Sequence, residues 1–387
     1  MKALIIGGGI AGLSAAAAFQ RAGIGYQVFE QASELREIGA GLTVWVNAVT
    51  ALEKLGVTNA LLELGSRIET IEVRTWDGHV LNRTPLYKLD RDMGVPGSFC
   101  VHRADLLREL ARMSDPRAVQ CGARCCEICD EGSHVVARFE DGRKACADFL
   151  VGADGLHSVV RRHLRGESPP RYAGYTCWRA LAERTMADLP KGVSFESWGK
   201  GARFSAHHCG RGRTFWYATL NSLQNRPDHP AGRKAEVLRC FRNWHDPICE
   251  LITATDESAI LRNDIVDRPP VSSWGRGRIT LVGDAAHPTT PNLGQGACLA
   301  IEDAVVLTEF ARKAADAETA LRRYERKRQP RTAMITNQSR RLGSVCQIEN
   351  SFAIALRNFG ARMFPEQISL YAMRKLFHCE LAVIRNE

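Results

Sequence analysis

The chain has 387 residues, more than one small core needs and enough for about two domains. With 45% hydrophobic and 25% charged residues it is globular in make-up, and no apolar run approaches the roughly 20 residues of a membrane-spanning helix. The formal charge of +9 leaves an acidic substrate or a pyridine nucleotide open as partners. Much of it falls at helical spacing in Arg322-Arg323, Arg326-Lys327-Arg328 and Arg331, without a nucleic-acid module, so we expect a solvated helix face and no nucleic-acid partner.

Lys2-Ala3-Leu4-Ile5-Ile6 reads as a buried strand running into glycines, without the longer apolar core and cleavage site of a signal peptide; a cytoplasmic protein is expected. Leu13 to Ala22 supplies small, helix-favouring residues, and Tyr26-Gln27-Val28-Phe29-Glu30 is a second strand, completing a βαβ unit of roughly 30 residues. From Arg67 the pattern alternates: Ile71 to Trp76, a turn at Asp77-Gly78 and Val80-Leu81 predict a hairpin. Val101 to Arg112 has helical spacing. The cysteines Cys121, Cys125, Cys126 and Cys129 fall on a strand and its flanks; neighbours there point to opposite faces and paired C-x-x-C knuckles are missing, so no metal is expected. Val135 to Phe139 and Phe149-Leu150-Val151 are further strands. Residues 172–268 are rich in aromatics at alternating spacing and predict a mainly antiparallel sheet with one aromatic face. Ile279 to Val282 reverts to a buried strand, a long helix follows from about Gly296 to Arg312, and beyond Pro330 the chain is helical, with Phe352, Leu356 and Phe359 spaced to bury one stripe.

Three separated blocks carry the chemistry. Gly7-x-Gly9-x-x-Gly12 lies between a strand and a helix, where glycines admit a pyrophosphate close to the backbone and the helix N-terminus offers it unpaired N–H groups. Glu30 follows at the end of the second strand, where a carboxylate holds ribose hydroxyls and repels a 2′-phosphate; this block alone fits FAD or NAD equally. In the middle, Gly152-Ala153-Asp154-Gly155 with Ser158 and Arg161 reads as a strand end and a capped helix start, leaving a capping role and a pyridine-nucleotide role for Asp154 both open. Late in the chain, Gly283-Asp284-Ala285-Ala286-His287-Pro288 places a carboxylate after a buried strand, within reach of a ribitol chain. Pro291 to Gly296 then leads into the long helix with bare backbone N–H groups, suited to the negative charge of a reduced flavin.

Together the three blocks resemble the flavoprotein aromatic hydroxylases, the single-component FAD monooxygenases of p-hydroxybenzoate hydroxylase type, over about residues 2–330. Arg171 to Tyr175, Val44 to Asn47 and Thr289 to Gly296 are most similar to FAD-dependent urate hydroxylases; Trp274 to Arg278 and Ile301-Glu302-Asp303 are also similar to zeaxanthin epoxidases. The resemblance implies an α/β fold: a Rossmann-like FAD-binding domain (residues 1–66, 101–171 and 269–330), an inserted, mainly antiparallel β substrate domain (67–100 and 172–268) and a helical C-terminal region (331–387). It implies that Gly7, Gly9, Ala11 and Gly12 cradle FAD, that Glu30 and Gln31 meet the adenosine ribose, and that Thr43 lies near the flavin. Arg103 would contact the pyrophosphate or ribityl chain, Cys125 would offer its backbone to adenine, and Asp154 would belong to a block touching FAD and NAD(P)H. Asp284 would hold the ribitol, with Gly294, Gln295, Gly296, Ala297 and Cys298 under the isoalloxazine.

The resemblance further implies transient NADH or NADPH, hydride transfer to FAD, and reaction with O2 to a flavin C4a-hydroperoxide that hydroxylates an aromatic or heteroaromatic small molecule. The protein would work as a monomer or homodimer. Arg203 matches an arginine that urate hydroxylases use near substrate, but Phe215 stands where they carry a tyrosine, and Val46 and His208 stand where they carry prolines. These departures favour a larger, more apolar substrate than urate. His207, His208 and Arg179 are the candidates for assisting deprotonation, though a structural role suits each, and no catalytic base is assigned. Two other readings remain: an epoxidase of an isoprenoid-like alkene, which would show an exposed apolar patch among the C-terminal helices, and a flavin-binding regulator without turnover.

Overall fold

The computed structural model describes residues 1–35 and 39–378. Its centre is a parallel sheet of five strands in the order Ile279–Leu281, Phe149–Gly152, Lys2–Ile6, Gly25–Phe29 and Val119–Gln120. Ala3, Leu4 and Ile5 are fully buried, as the middle strand of a parallel sheet covered on both faces requires. Helix Ile10–Ala22 packs through its buried Ala15 to Ala18 run, and Gly12 lets it approach the turn so closely that a Cβ there would sit 1.9 Å from the Gly7 carbonyl oxygen. Gly283, at φ +58°, is wedged between the starts of helices Ile10–Ala22 and Gly296–Lys313: an added Cβ would meet the Cβ atoms of Ala11 at 2.9 Å and Ala300 at 3.1 Å. That contact makes the N-termini of two helices distant in sequence converge.

The second large sheet has seven strands, ordered Leu261–Asp267, Arg171–Ala182, Thr214–Asn221, Ala202–His208, Val193–Trp198, Thr70–Thr75 and Val80–Pro85; only the pairing of Val193–Trp198 with Thr70–Thr75 is parallel. Strand alternation divides its faces. Trp178, Phe204, Trp216 and Ala218 pack with Phe241 and Ile252 of helices Arg233–Phe241 and Ile248–Thr253 into a second apolar core. Cys177, Arg203, Ser205, Phe215 and Tyr217 face the opposite way, toward the parallel-sheet unit. Smaller antiparallel sheets, one of Gly41–Val44, Ser98–His102 and Ser66–Ile68 and one of Cys125–Asp130, Val135–Phe139 and Lys144–Ala147, complete the β structure of the described residues. The helix expected from Val101 begins at Arg103, because Val101 and His102 end a strand.

Helices Ala317–Cys346, Ser351–Arg362 and Glu366–Phe377 close the chain. The first continues through Pro330, so residues 330 and 331 share one helix. Two sequence expectations are corrected here. The basic run is not wholly a solvated face: Arg328 and Arg331 are buried and paired. Arg328 donates to Glu302 at 2.6 Å and to Asp303 at 2.7 Å, and Arg331 to Glu302 at 2.8 Å. Phe352, Leu356 and Phe359 do not bury a stripe either, being 80%, 63% and 62% exposed. Helix Ser351–Arg362 turns Arg357 inward instead, onto the Cys346 carbonyl and 5.2 Å from the Trp198 ring centre, which rotates its apolar residues outward.

Burial alone would push the Asp303 carboxyl up, but His287 and Arg328 outweigh it and hold it at about 2. Removing Arg328 strands two buried carboxylates, so Arg328→Ala should lower the unfolding free energy by about 3–5 kcal/mol in urea titrations at pH 7. Because the Asp303 carboxyl lies lower in the folded chain than its ordinary 3.8, its stabilisation is complete above that value and lost as pH falls toward about 2. Stability should therefore drop by on the order of 2 kcal/mol over this interval, and Asp303→Asn should flatten the profile. A profile unchanged by that substitution would place the acid sensitivity elsewhere.

Candidate active site

A cavity of about 1080 Å³ lies between the parallel-sheet unit, the inner face of the seven-stranded sheet and the C-terminal helices. At one end it is lined by Gly9, Ile10 and Ala11, by Thr43, Arg103 and Asp284, and by Gly294, Gly296 and Ala297. Helices Ile10–Ala22 and Gly296–Lys313 both start here, without a side-chain cap and without an acid in the first turn. Their positive ends thus face one space, an arrangement that attracts anions. Asp284 opens to the cavity while protein encloses it, and accepts no hydrogen bond from another described residue. Burial raises its carboxyl above the usual carboxylate range, with His287 and Arg103 opposing the shift. Burial likewise lowers the Arg103 guanidinium; the charge of Asp284 counteracts this and that of Arg179 adds to it.

The remaining cofactor candidates lie behind this wall. Glu30 accepts from the N–H groups of Gly8 at 2.7 Å and Ala32 at 2.8 Å, which fixes its carboxylate beside the glycine turn with lone pairs to spare. Gly7 and Gly12 shape that turn from beneath, and Gln31 is exposed beside it. Asp154 caps helix Val159–Arg165, accepting from Ser158 Oγ at 2.5 Å and the Val159 N–H at 2.7 Å. Cys125 is buried, and its thiol is pushed up to about 12 by desolvation and then by the Asp154 charge. Gln295 and Cys298 point away from the cavity: Gln295 pairs with Asn47, and the Cys298 sulfur accepts from the Trp45 N–H at 3.5 Å. Arg161 donates to the carbonyls of Ala285 and Ala286, bracing the loop that carries Asp284.

The substrate candidates sit at the other end. Arg203 is buried and lines the cavity, donating to Asn292 Oδ1 at 2.7 Å, Gln347 Oε1 at 2.9 Å and Thr219 Oγ1 at 3.3 Å. Burial disfavours its charge, but Glu196, 3.6 Å away, prevails and keeps it protonated. Glu196 also accepts from Trp198 Nε1 and from the Tyr217 hydroxyl. Phe215, directly across the strands from His207, stacks with its ring at 5.8 Å.

Ser205 spends its one hydroxyl proton on the Phe195 carbonyl, so His207 Nε2–H must donate to Ser205 Oγ. That assigns the tautomer and leaves His207 Nδ1 a buried acceptor with no partner among the described residues. Desolvation lowers the imidazole to about 4, so it is neutral at physiological pH. Of the other two named for deprotonation, His208 bonds the Leu189 carbonyl away from the cavity, and Arg179 lines it. Glu196, Tyr217 and Gln347 were not singled out from sequence. The alternation of Arg203, Ser205 and His207 was the available signal, once strand phase is known.

A family model described as FAD binding domain matches residues 1–339. The chain belongs to that family. It is 40% identical over 363 residues to the aurachin C monooxygenase/isomerase of Stigmatella aurantiaca, covering 94% of each chain. It is 36% identical to the chloroplastic zeaxanthin epoxidase of Nicotiana plumbaginifolia, over 87% of this chain and 53% of that one. Among solved structures, Klebsiella pneumoniae HpxO complexed with FAD and uric acid superposes with a TM-score of 0.92 at 32% identity, over 97% of this chain and 96% of the other. The protein is an FAD-dependent monooxygenase of the aromatic hydroxylase family. Among the described residues no helix is long and apolar enough to cross a membrane, and no cluster suits a metal ion.

The residues present fit FAD: two uncapped helix starts, a carboxylate that opens to the cavity with no partner among the described residues, and a turn too tight for any side chain at Gly12. Asp284→Ala should weaken FAD retention at least tenfold, read from flavin absorbance after gel filtration, whereas Asp284→Asn keeps an acceptor and should lose less. Full occupancy in the alanine variant would remove Asp284 from the cofactor site.

Proposed function

We propose that this enzyme uses NADH or NADPH and O2 to hydroxylate an aromatic or heteroaromatic small molecule. The supporting observation is a single cavity that joins the dinucleotide cradle to a walled lobe holding the buried Arg203. FAD, when bound, supplies electron transfer and the activation of O2. Glu30 would hold the adenosine ribose, Arg103 the pyrophosphate or ribityl chain, and Asp284 the ribitol hydroxyls. Gly294, Gly296 and Ala297, at the start of helix Gly296–Lys313, would face the flavin ring with the positive end of that helix. Cys125 would serve through its backbone only. Asp154 is taken up with capping, so we assign the transient pyridine nucleotide to the cavity side, where Arg179 adds positive charge beside Arg103.

Arg203 and Asn292 would orient a carbonyl- or hydroxyl-bearing ring, with Phe215 as its apolar wall and neutral His207 as a nearby acceptor. Enclosing the ring here keeps water from the reacting oxygen. A second reading, epoxidation of an isoprenoid-like alkene, is favoured by the apolar residues left exposed on the C-terminal helices.

The test is NADH and NADPH oxidation by the holoenzyme with phenols, quinolones, purines and polyenes under ¹⁸O2. A ring substrate should stimulate oxidation and gain one labelled oxygen. Labelled epoxides from polyenes alone would select the second reading, and coenzyme oxidation that never labels a product would overturn both. Arg203→Gln should raise KM for the ring substrate by about ten- to a hundredfold with FAD occupancy retained, since a charge-assisted hydrogen bond is lost.

A further inference from the structure

The cavity does not end at Arg203. It continues as an arm between the strand Val80–Pro85 and the C-terminal helices, walled by Leu342, Val345, Ile348, Leu356, Phe364 and Phe377. The polar side chains along this arm are largely engaged with protein: Asn82 donates to the Phe364 carbonyl at 3.0 Å and Thr84 to Asn82 at 3.2 Å, while Arg357 reaches the Cys346 carbonyl at 3.1 Å. What faces the space is therefore mostly hydrocarbon, with one Arg357 guanidinium nitrogen left without a partner among the described residues. Around the arm the apolar side chains are left bare, with Met363 65% and Phe364 47% exposed beside Phe352, Leu356 and Phe359. Apolar surface so concentrated marks a ligand-binding or interaction site.

We infer, resting on the hydroxylase reading above, that the substrate is an amphiphile whose polar ring lies at Arg203 and Asn292 and whose extended hydrocarbon chain fills this arm. Three observations converge on that occupant. The arm is continuous with the ring lobe, so one molecule can span both. Its walls change from a hydrogen-bonded cluster around Arg203 to aliphatic and aromatic side chains. The whole cavity, cofactor end included, measures about 1080 Å³, slightly above the usual range for a site that takes one small molecule. Gly360 and Ala361 supply the small residues on helix Ser351–Arg362 that keep the arm open, and a Cβ at Gly360 would meet nothing within 4 Å.

The experiment titrates the holoenzyme with 4-n-alkylphenols and n-alkylquinolones carrying one to nine chain carbons. Binding is followed by flavin absorbance and by the fluorescence of Trp45 and Trp198, which line the cavity. Kd should fall up to about fourfold per added methylene until the arm is full, then level off. Gly360→Phe, and independently Ala372→Phe on the neighbouring helix, should weaken the heptyl compounds at least tenfold relative to the methyl compounds, with thermal unfolding as the folding control. A Kd independent of chain length, or long-chain binding untouched in both variants, overturns the inference. So does equally tight binding of n-alkanols, or a dimer in sedimentation whose dissociation frees no chain-dependent site; the latter would mean that a second copy covers the face. If chain length does not matter yet short ring compounds are still hydroxylated, the hydroxylase reading stands and only this one fails. If chain length matters but no ring compound is oxidised, the reverse holds.

Discussion

Glu302 and Asp303 are neighbours on one helix, both wholly buried, and the molecule tolerates two adjacent carboxylates there only because Arg328, Arg331 and His287 surround them. From this cluster the geometry of the cavity follows. Asp303 accepts the Gly283 N–H at 2.9 Å and so orients the loop that presents Asp284. Glu302 accepts from Asn47, which pairs with Gln295 and holds the start of helix Gly296–Lys313 against the Thr43–Trp45 segment. Arg331 reaches across to the Leu376 carbonyl and ties down the last helix, whose Leu376 and Phe377 wall the apolar arm. Apolar packing of equal volume would give similar stability, but not this directionality: hydrogen bonds from one cluster register the flavin loop, the flavin helix and the arm together.

The cavity separates its charges. On the dinucleotide side two helix N-termini and two arginines face a lone carboxylate, a balance that suits a ligand with negative phosphates and hydroxylated linkers. On the substrate side Arg203 already has Glu196 at 3.6 Å, and Glu196 is itself braced by Trp198 and Tyr217. A carboxylate arriving there would compete with an existing partner, whereas a carbonyl or hydroxyl can share the guanidinium without displacing it. The neutral His207 beside it points the same way, since an imidazolium is not available to neutralise an incoming anion. The local electrostatics thus favour a neutral polar ring, in keeping with the loss of a phenolic hydroxyl at Phe215.

How much could be read from the chain depended on whether a residue acts through backbone geometry or through side-chain phase. The glycine turn, Glu30, the strand before Gly283 and the helix from Gly296 were legible because close approach and strand–turn–helix context leave a local imprint. The parallel sheet, the hairpin at Asp77-Gly78 and the aromatic antiparallel sheet were legible from hydrophobic period. Arg203 was named by resemblance alone; its direction depends on a register shared with Thr219 across the sheet, a non-local fact. Arg328 and Arg331 were misread for the opposite reason. Their partners lie on the preceding helix, close in the fold, yet helical charge patterning looks the same whether the facing surface is water or buried carboxylate. Phe352, Leu356 and Phe359 kept their spacing but faced outward, because period fixes a common face and not what covers it.

That outward face bears on how one fold can serve several substrates. The groups that meet the cofactor come from strand ends and helix starts locked by glycines and by the Glu302–Asp303 cluster, so they have little freedom to vary without loss of the fold. The groups that meet the substrate come from alternate positions of open strands and from the last two helices, where a change of side chain alters a wall and not a backbone. Relatives named for different compounds, aurachin C in one and zeaxanthin in another, can therefore share the first set and differ in the second. In this chain the second set departs from a closed polar pocket in two coupled ways: Phe215 makes the ring wall apolar, and helix Ser351–Arg362, turned to bury Arg357 against Trp198, leaves its aliphatic face at the mouth of the arm. The same rotation that turns one guanidinium inward, onto the Cys346 carbonyl, creates the apolar opening, so a polar anchor and a greasy entrance come from a single helix orientation.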